Sequence, residues 1–130
     1  MRLKNILLVV GDIERSKTFY KELFHLDVVR QFEGNVILTQ GLVLQDKQIW
    51  EQLIKRPLSF KGGVSLLYFE TGDLEAFQQK LDNSGYEIEY LSRIMTYEWG
   101  QKVIRLYDPD GHIIEVGENH SCSQPYDEQA

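Results

Sequence analysis

Glu115 has the strongest chemical claim of any side chain in this sequence. It stands in the apolar run Ile113-Ile114-Glu115-Val116, directly after the turn Asp108-Pro109-Asp110-Gly111. Pro109 presets φ for a turn and Gly111 accepts positive φ, so a strand is expected to start at once. A carboxylate inside an apolar strand needs a polar cavity, a cation or a donor. Held on a rigid strand past a fixed turn, it is a plausible floor for a binding site. Asn5 is a second candidate, because an amide on an apolar strand needs hydrogen-bond partners, which Glu115 or a ligand could supply. Phe32, Trp50, Tyr90, Tyr97 and Trp99 add the rings that the wall of a small-molecule pocket needs.

Other reactive residue types carry less. Asp12 and Asp73 each precede an amphipathic run and read as helix N-caps. His25 follows the first helix and is expected to cap its carbonyls. His112 leaves a turn and His120 lies in a polar tail, so the three histidines are assigned surface or structural roles. Cys122 has no nearby base in sequence and reads as inert.

The elements that must position these residues can be read in order. Residues 3–10 form a largely buried strand. A helix over 13–24 presents Ile13, Ser16, Tyr20, Leu23 and Phe24 on one face. Strands are expected at 26–32, 36–39 and 42–45. A short helix within 46–56 ends at Pro57. Residues 59–63 read as a linker. The pattern then restarts with a strand at 64–70, a helix from Asp73 closed by Gly85, and strands at 86–91, 102–107 and 112–116. Residues 92–101 are expected to be an irregular loop over the mouth of a pocket. Leu8-Val9-Val10-Gly11-Asp12-Ile13-Glu14 and Tyr68-Phe69-Glu70-Thr71-Gly72-Asp73-Leu74-Glu75 match with one extra residue, which makes the chain an internal repeat.

Composition sets the limits. The length of 130 residues fits one domain, or two small modules sharing a core. A net charge of −6 without a long basic run argues against nucleic acid as a partner. The single cysteine suits a reducing compartment, and the apolar runs are too short for a membrane span. The expected location is the cytoplasm.

With the repeat, the Phe19-Tyr20 pair in the first helix, the Trp99-Gly100 loop and the Asp108-to-Glu115 turn and strand, the chain resembles the vicinal oxygen chelate superfamily. This is the group of glyoxalases, bleomycin-resistance proteins and extradiol dioxygenases. The likeness covers about residues 3–117. It implies an α+β fold in which two βαβββ modules, about 1–56 and 62–117, form a cup-shaped half-barrel. Residues 1–117 would make one domain, with 118–130 as a flexible tail. It also implies a homodimer and a small-molecule ligand.

The resemblance further implies a divalent metal held by His and Glu side chains on the strands. Asn5 stands where the first such His would be, and Ser65 or Leu66 at the matching place in the second module. Gln45 takes the place of a Glu on the fourth strand. Glu115 alone matches the ligand pattern, so a divalent metal stays open but the set is incomplete. The expected function is small-molecule binding in an aromatic cup, of an aromatic or cationic compound. The alternatives are a metal-dependent lyase, isomerase or dioxygenase-like enzyme using Glu115, and a structural dimer with a filled cup. Standard glyoxalase activity is not expected.

Overall fold

The computed structural model describes residues 1–59 and 65–119. Most of the linker read at 59–63, with Val64, the tail beyond Asn119, His120 and Cys122, lies outside the described residues. The first run of elements is β1 (Ile6–Val10), α1 (Ile13–Phe24), β2 (Val28–Phe32), β3 (Asn35–Leu38), β4 (Leu42–Asp46) and α2 (Lys47–Ile54). The second is β5 (Leu66–Thr71), α3 (Leu74–Asp82), β6 (Tyr90–Thr96), β7 (Lys102–Tyr107) and β8 (Ile113–Glu118). The described residues form two compact units, 1–59 with 109–111 and 65–108 with 112–119. Each holds one open four-stranded mixed sheet. The strand orders, β1-β4-β3-β2 and β5-β8-β7-β6, are the same pattern twice. In both, the first strand runs parallel to the fourth and the remaining pairs are antiparallel.

In the first unit, α1 begins where the Asp12 carboxylate accepts the Arg15 N–H at 3.1 Å. Such a cap stabilises a helix by about 1 kcal/mol. The helix ends at His25, which adopts φ 56° and donates its N–H to the Lys21 carbonyl at 3.1 Å. The capping role read for His25 is therefore met by its backbone. Ser16, Phe19, Tyr20 and Leu23 form the buried face of α1, and Phe24 is only half-buried. Phe19 meets Tyr20 edge-on, with ring centroids 5.2 Å apart. Val36, Leu38, Leu42 and Leu44 fill the sheet side of this unit's core.

Pro109–Gly111 groups with this unit because Asp110 is drawn into it. Its buried carboxylate accepts the Gly11 N–H at 3.1 Å and the Ser16 hydroxyl at 3.3 Å, and pairs with Arg15 at 2.6 Å. Asp110 is thus a structural clasp on the start of α1.

In the second unit, α3 is capped by Asp73, which accepts the Ala76 N–H at 3.0 Å. Glu118 at the end of β8 accepts the Leu74 N–H at 3.0 Å. That bond orients the whole strand. Side chains alternate along a strand, so Glu118, Val116 and Ile114 face α3, while Gly117, Glu115 and Ile113 face the other way. The pairing continues this on β7, where Ile104 and Leu106 lie opposite Val116 and Ile114, and Arg105 lies opposite Glu115. Ile104, Leu106 and Ile114 are fully buried and form the core against α3.

Three sequence expectations are corrected. The strand placed at 86–91 and the loop placed at 92–101 are instead β6 over Tyr90–Thr96 followed by a turn at 97–101. Two register shifts, between Tyr90 and Ser92 and between Ser92 and Met95, break the strict alternation by which a strand is recognised. β1 is shorter than the expected 3–10 and is not largely buried, because it is a sheet edge on which Ile6 and Leu7 are 51% and 47% exposed. The cap residue of α3 is Asn83, and Gly85 takes its positive φ beyond the helix end.

Candidate functional site

The second unit gathers its chemistry on the sheet face turned away from α3. Glu115 on β8 and Arg105 on β7 are direct cross-strand partners. Arg105 Nε donates to Glu115 Oε2 at 2.7 Å. The Tyr97 hydroxyl donates to the same Oε2 at 3.0 Å and accepts from Arg105 Nη2. Arg105 Nη1 reaches the Met95 sulfur at 3.2 Å. The carboxylate is buried, at 12% side-chain exposure, and the guanidinium is half-buried at 29%. Burial pushes the Tyr97 phenol above its usual range, its hydrogen bond to Glu115 and that residue's charge add to this, and Arg105 opposes them. The hydrogen bond to Glu115 holds the Arg105 pKa above its usual value despite its desolvation.

Above this ion pair lies an aromatic platform. The Trp99 indole stacks on the Tyr97 ring with centroids 4.3 Å apart and planes 15° from parallel. Arg105 lies 5.3 Å from the Tyr97 centroid. Trp99 remains 47% exposed, so its outer face is open to a planar partner. The tight turn from Tyr97 to Gln101 presents it, with the Tyr97 N–H donating to the Gln101 carbonyl at 2.8 Å and the Gly100 N–H to the Tyr97 carbonyl at 2.9 Å. Gly100 takes φ 94° there, a conformation that suits glycine.

Glu115, Tyr97 and Trp99 are therefore brought together, and Tyr90 is not. The Tyr90 hydroxyl turns to α3, accepting from Gln78 Nε2 at 2.7 Å and donating to Asp82 at 3.3 Å. Arg93 lies over its ring at 4.7 Å. Arg105 was missed by reading residues singly. The register of the β7–β8 hairpin holds the signal, since Tyr107 opposite Ile113 puts Arg105 opposite Glu115 by counting outward from the turn.

The other candidates belong to the first unit. Asn5 precedes β1 and donates its amide to the Gly41 carbonyl at 3.2 Å. Gln45 on β4 donates to Asn35 Oδ1 at 2.7 Å and accepts from the Trp50 indole on α2. Phe32 is exposed on edge strand β2, with the Arg30 guanidinium 5.0 Å from its ring centroid.

These engagements decide whether the residues suit a metal. Glu115 offers an oxygen already shared by a cation and a phenol, Asn5 is tied to a backbone carbonyl, and both ends of the Gln45 amide are used. The set lacks imidazole and thiolate, so it does not fit zinc, nickel or iron. Within the five-residue turn itself, Asp108, Asp110 and His112 each place one ligand-type atom within 4.8 Å of the others. Asp108 Oδ1 there accepts the His112 N–H at 2.9 Å, and Asp110 is the clasp on α1 described above.

A repeated βαβββ unit, each copy with an open four-stranded mixed sheet, defines the glyoxalase and bleomycin-resistance class of fold. The family model for the glyoxalase-like domain matches residues 3–121, and the chain belongs to that family, within the vicinal oxygen chelate superfamily. A protein of unknown function from Agrobacterium tumefaciens is similar in structure, at 33% identity and a TM-score of 0.79, over 92% of this chain and 95% of that one. A glyoxalase/bleomycin resistance protein/dioxygenase from Nocardioides shares the fold at 20% identity and a TM-score of 0.75, over 96% and 87% of the two chains. A glyoxalase-related enzyme from Fulvimarina pelagi does so at 23% identity and a TM-score of 0.73, over 91% and 88%. No curated protein matches the chain.

Proposed function

We propose that this family member is a metal-independent binding protein for a planar aromatic small molecule, which stacks on Trp99. The observation that carries the reading is the half-exposed Trp99–Tyr97 stack beside the Arg105–Glu115 pair. An open indole face supplies dispersion and desolvation to a flat partner. The ion pair supplies polar atoms at its edge. Because Glu115 is neutralised by Arg105, the centre carries little net charge, which favours a neutral aromatic over the cationic alternative. The same pairing speaks against Glu115 as a metal ligand or a free general base.

The protein is further proposed to work as a homodimer in the cytoplasm. Ile6 and Leu7 on edge strand β1, and Val28 and Val29 on edge strand β2, are apolar and exposed in the single chain, as a covered interface would require. The single cysteine supports the compartment. Among the described residues, no helix is long and apolar enough to cross a membrane.

The test is a fluorescence titration with 2-naphthol, quinoline and 9-aminoacridine, paired with elemental analysis of untagged protein. Saturable binding of a neutral probe, weakened about threefold to tenfold in Trp99→Ala, is expected from the usual ~0.5–1.5 kcal/mol of an aromatic pair. Equal affinity in Trp99→Ala would remove the platform from the site. Near-stoichiometric metal that is lost in Glu115→Ala would replace the reading with a metal-dependent one.

A further inference from the structure

We infer that Gln101 is the positioning residue that presets the Trp99 platform, an inference that rests on the stacking role proposed for Trp99. Gln101 is a polar side chain with no exposed surface. Burying an amide is costly unless its donors and acceptor are met. Here each neighbour selects one end of it. The indole N–H of Trp99 can only donate, and it faces Gln101 Oε1 at 3.4 Å. Gln101 Nε2 then donates to the Tyr68 hydroxyl at 2.8 Å and to the Glu118 carbonyl at 3.4 Å. The amide is held at its far end by β5 and β8 and presents a fixed acceptor to the tryptophan.

The room for this amide comes from Gly117. A methyl group at that position would collide with the Tyr68 hydroxyl and come within 2.5 Å of Gln101 Nε2. Gly117 lies on the sheet face that carries Glu115, so the missing side chain opens a slot beside the ion pair. An indole half in water would ordinarily exchange rotamers. Two contacts on opposite parts of the ring restrain Trp99 instead, the Tyr97 stack and the bond to Gln101. The outer face of Trp99 is thereby aimed before any ligand arrives, which lowers the ordering cost of binding.

The experiment follows the indole N–H signals of the full chain labelled with nitrogen-15. The chain has two tryptophans, Trp50 and Trp99, and Trp99→Phe assigns the peaks. Gln101→Leu keeps the volume and removes the acceptor. It should move the Trp99 peak upfield toward the position of a free indole and leave Trp50 in place. Gln101→Glu, read at a pH high enough to ionise a buried carboxyl group, offers a charged acceptor and should move the same peak downfield. A side chain that merely stabilised the fold would not give opposite shifts, and the second variant keeps the test alive where the first fails to fold. A Trp99 peak unmoved in the folded variants overturns the inference. Titration with 2-naphthol separates the two ideas. Gln101→Leu should weaken binding about threefold, toward the low end of the loss in Trp99→Ala. Opposite peak shifts with equal naphthol affinity in wild type and Trp99→Ala would uphold the positioning and sink the stacking role. Loss of affinity in Trp99→Ala with unmoved peaks would do the reverse.

Discussion

Replacing Arg105 with methionine should expose how far Glu115 depends on it. The substitution keeps an unbranched stem and deletes the guanidinium, so Glu115 loses the donor at 2.7 Å and keeps only the Tyr97 hydroxyl at 3.0 Å. Breaking a fully buried ion pair costs about 3–5 kcal/mol, because a charge is left without compensation. An exposed pair is worth only about 0–1 kcal/mol. With side-chain exposures of 12% for Glu115 and 29% for Arg105, this pair lies between those limits. The stranded group is the less exposed of the two, and one hydrogen bond remains to it. A loss of roughly 2 kcal/mol is expected, which would lower the melting temperature by about 8 °C in a chain of this size. Glu115→Gln should cost less, about 1 kcal/mol, since the surviving guanidinium reaches water more easily. Urea unfolding of both single variants and of Arg105→Met/Glu115→Gln completes a cycle, with an expected coupling of about 1 kcal/mol or more. Single losses below about 0.5 kcal/mol with no coupling would refute the ion pair as the centre of the site.

Two further outcomes follow from the same geometry. The Tyr97 pKa is raised above the ordinary 10.0, so the folded phenol keeps its proton where the unfolded one has lost it. Its contribution is fully present below the unfolded value and is lost as pH rises through the folded one. Urea stability measured from about pH 9 to 11 should therefore fall more steeply in wild type than in Tyr97→Phe, and identical slopes would contradict the burial of that hydroxyl. Light scattering should give about twice the chain mass of 15.2 kDa, and a monomer at micromolar concentration would leave the exposed apolar residues of β1 and β2 without a second copy to cover them.

The fold was legible because its signals are local. Asp12 and Asp73 cap their helices as read, and the Gly-Asp step repeated after β1 and β5 marks two copies of one βαβββ unit. β6 was misread because its bulges and its polar residues Ser92, Arg93 and Thr96 hide the period that identifies a strand. The candidate site was legible only in part. Glu115, Tyr97 and Trp99 stand out as single residues, a carboxylate in an apolar run and two large rings near a glycine. Arg105, Gln101, Gly117 and Tyr68 look ordinary in sequence; Arg105, Gly117 and Tyr68 acquire their roles from strand pairing, and Gln101 from the turn that precedes β7. The separation of Tyr90 from Tyr97 depends on which face each side chain takes, and two register shifts lie on the strand that carries Tyr90.

Both units carry a cross-strand polar pair on corresponding strands, and comparing the two explains why the metal-ligand pattern is incomplete. On β3 and β4 the partners are Asn35 and Gln45, two amides bonded to each other and to the Trp50 indole. On β7 and β8 they are Arg105 and Glu115, an ion pair bonded to the Tyr97 hydroxyl. In each, the polar atoms that a cation would need are engaged inside their own unit, and an aromatic residue with a polar tip completes the set. The difference lies in what is left over. The amide pair uses its tryptophan as a donor and leaves that ring half-buried on α2. The ion pair uses a tyrosine, and the tyrosine carries a second ring, Trp99, whose outer face stays open. A centre that has neutralised its own charge while presenting an aromatic surface is suited to stacking rather than to holding a metal, and this is the physical basis for the proposal that a ligand stacks on the second unit.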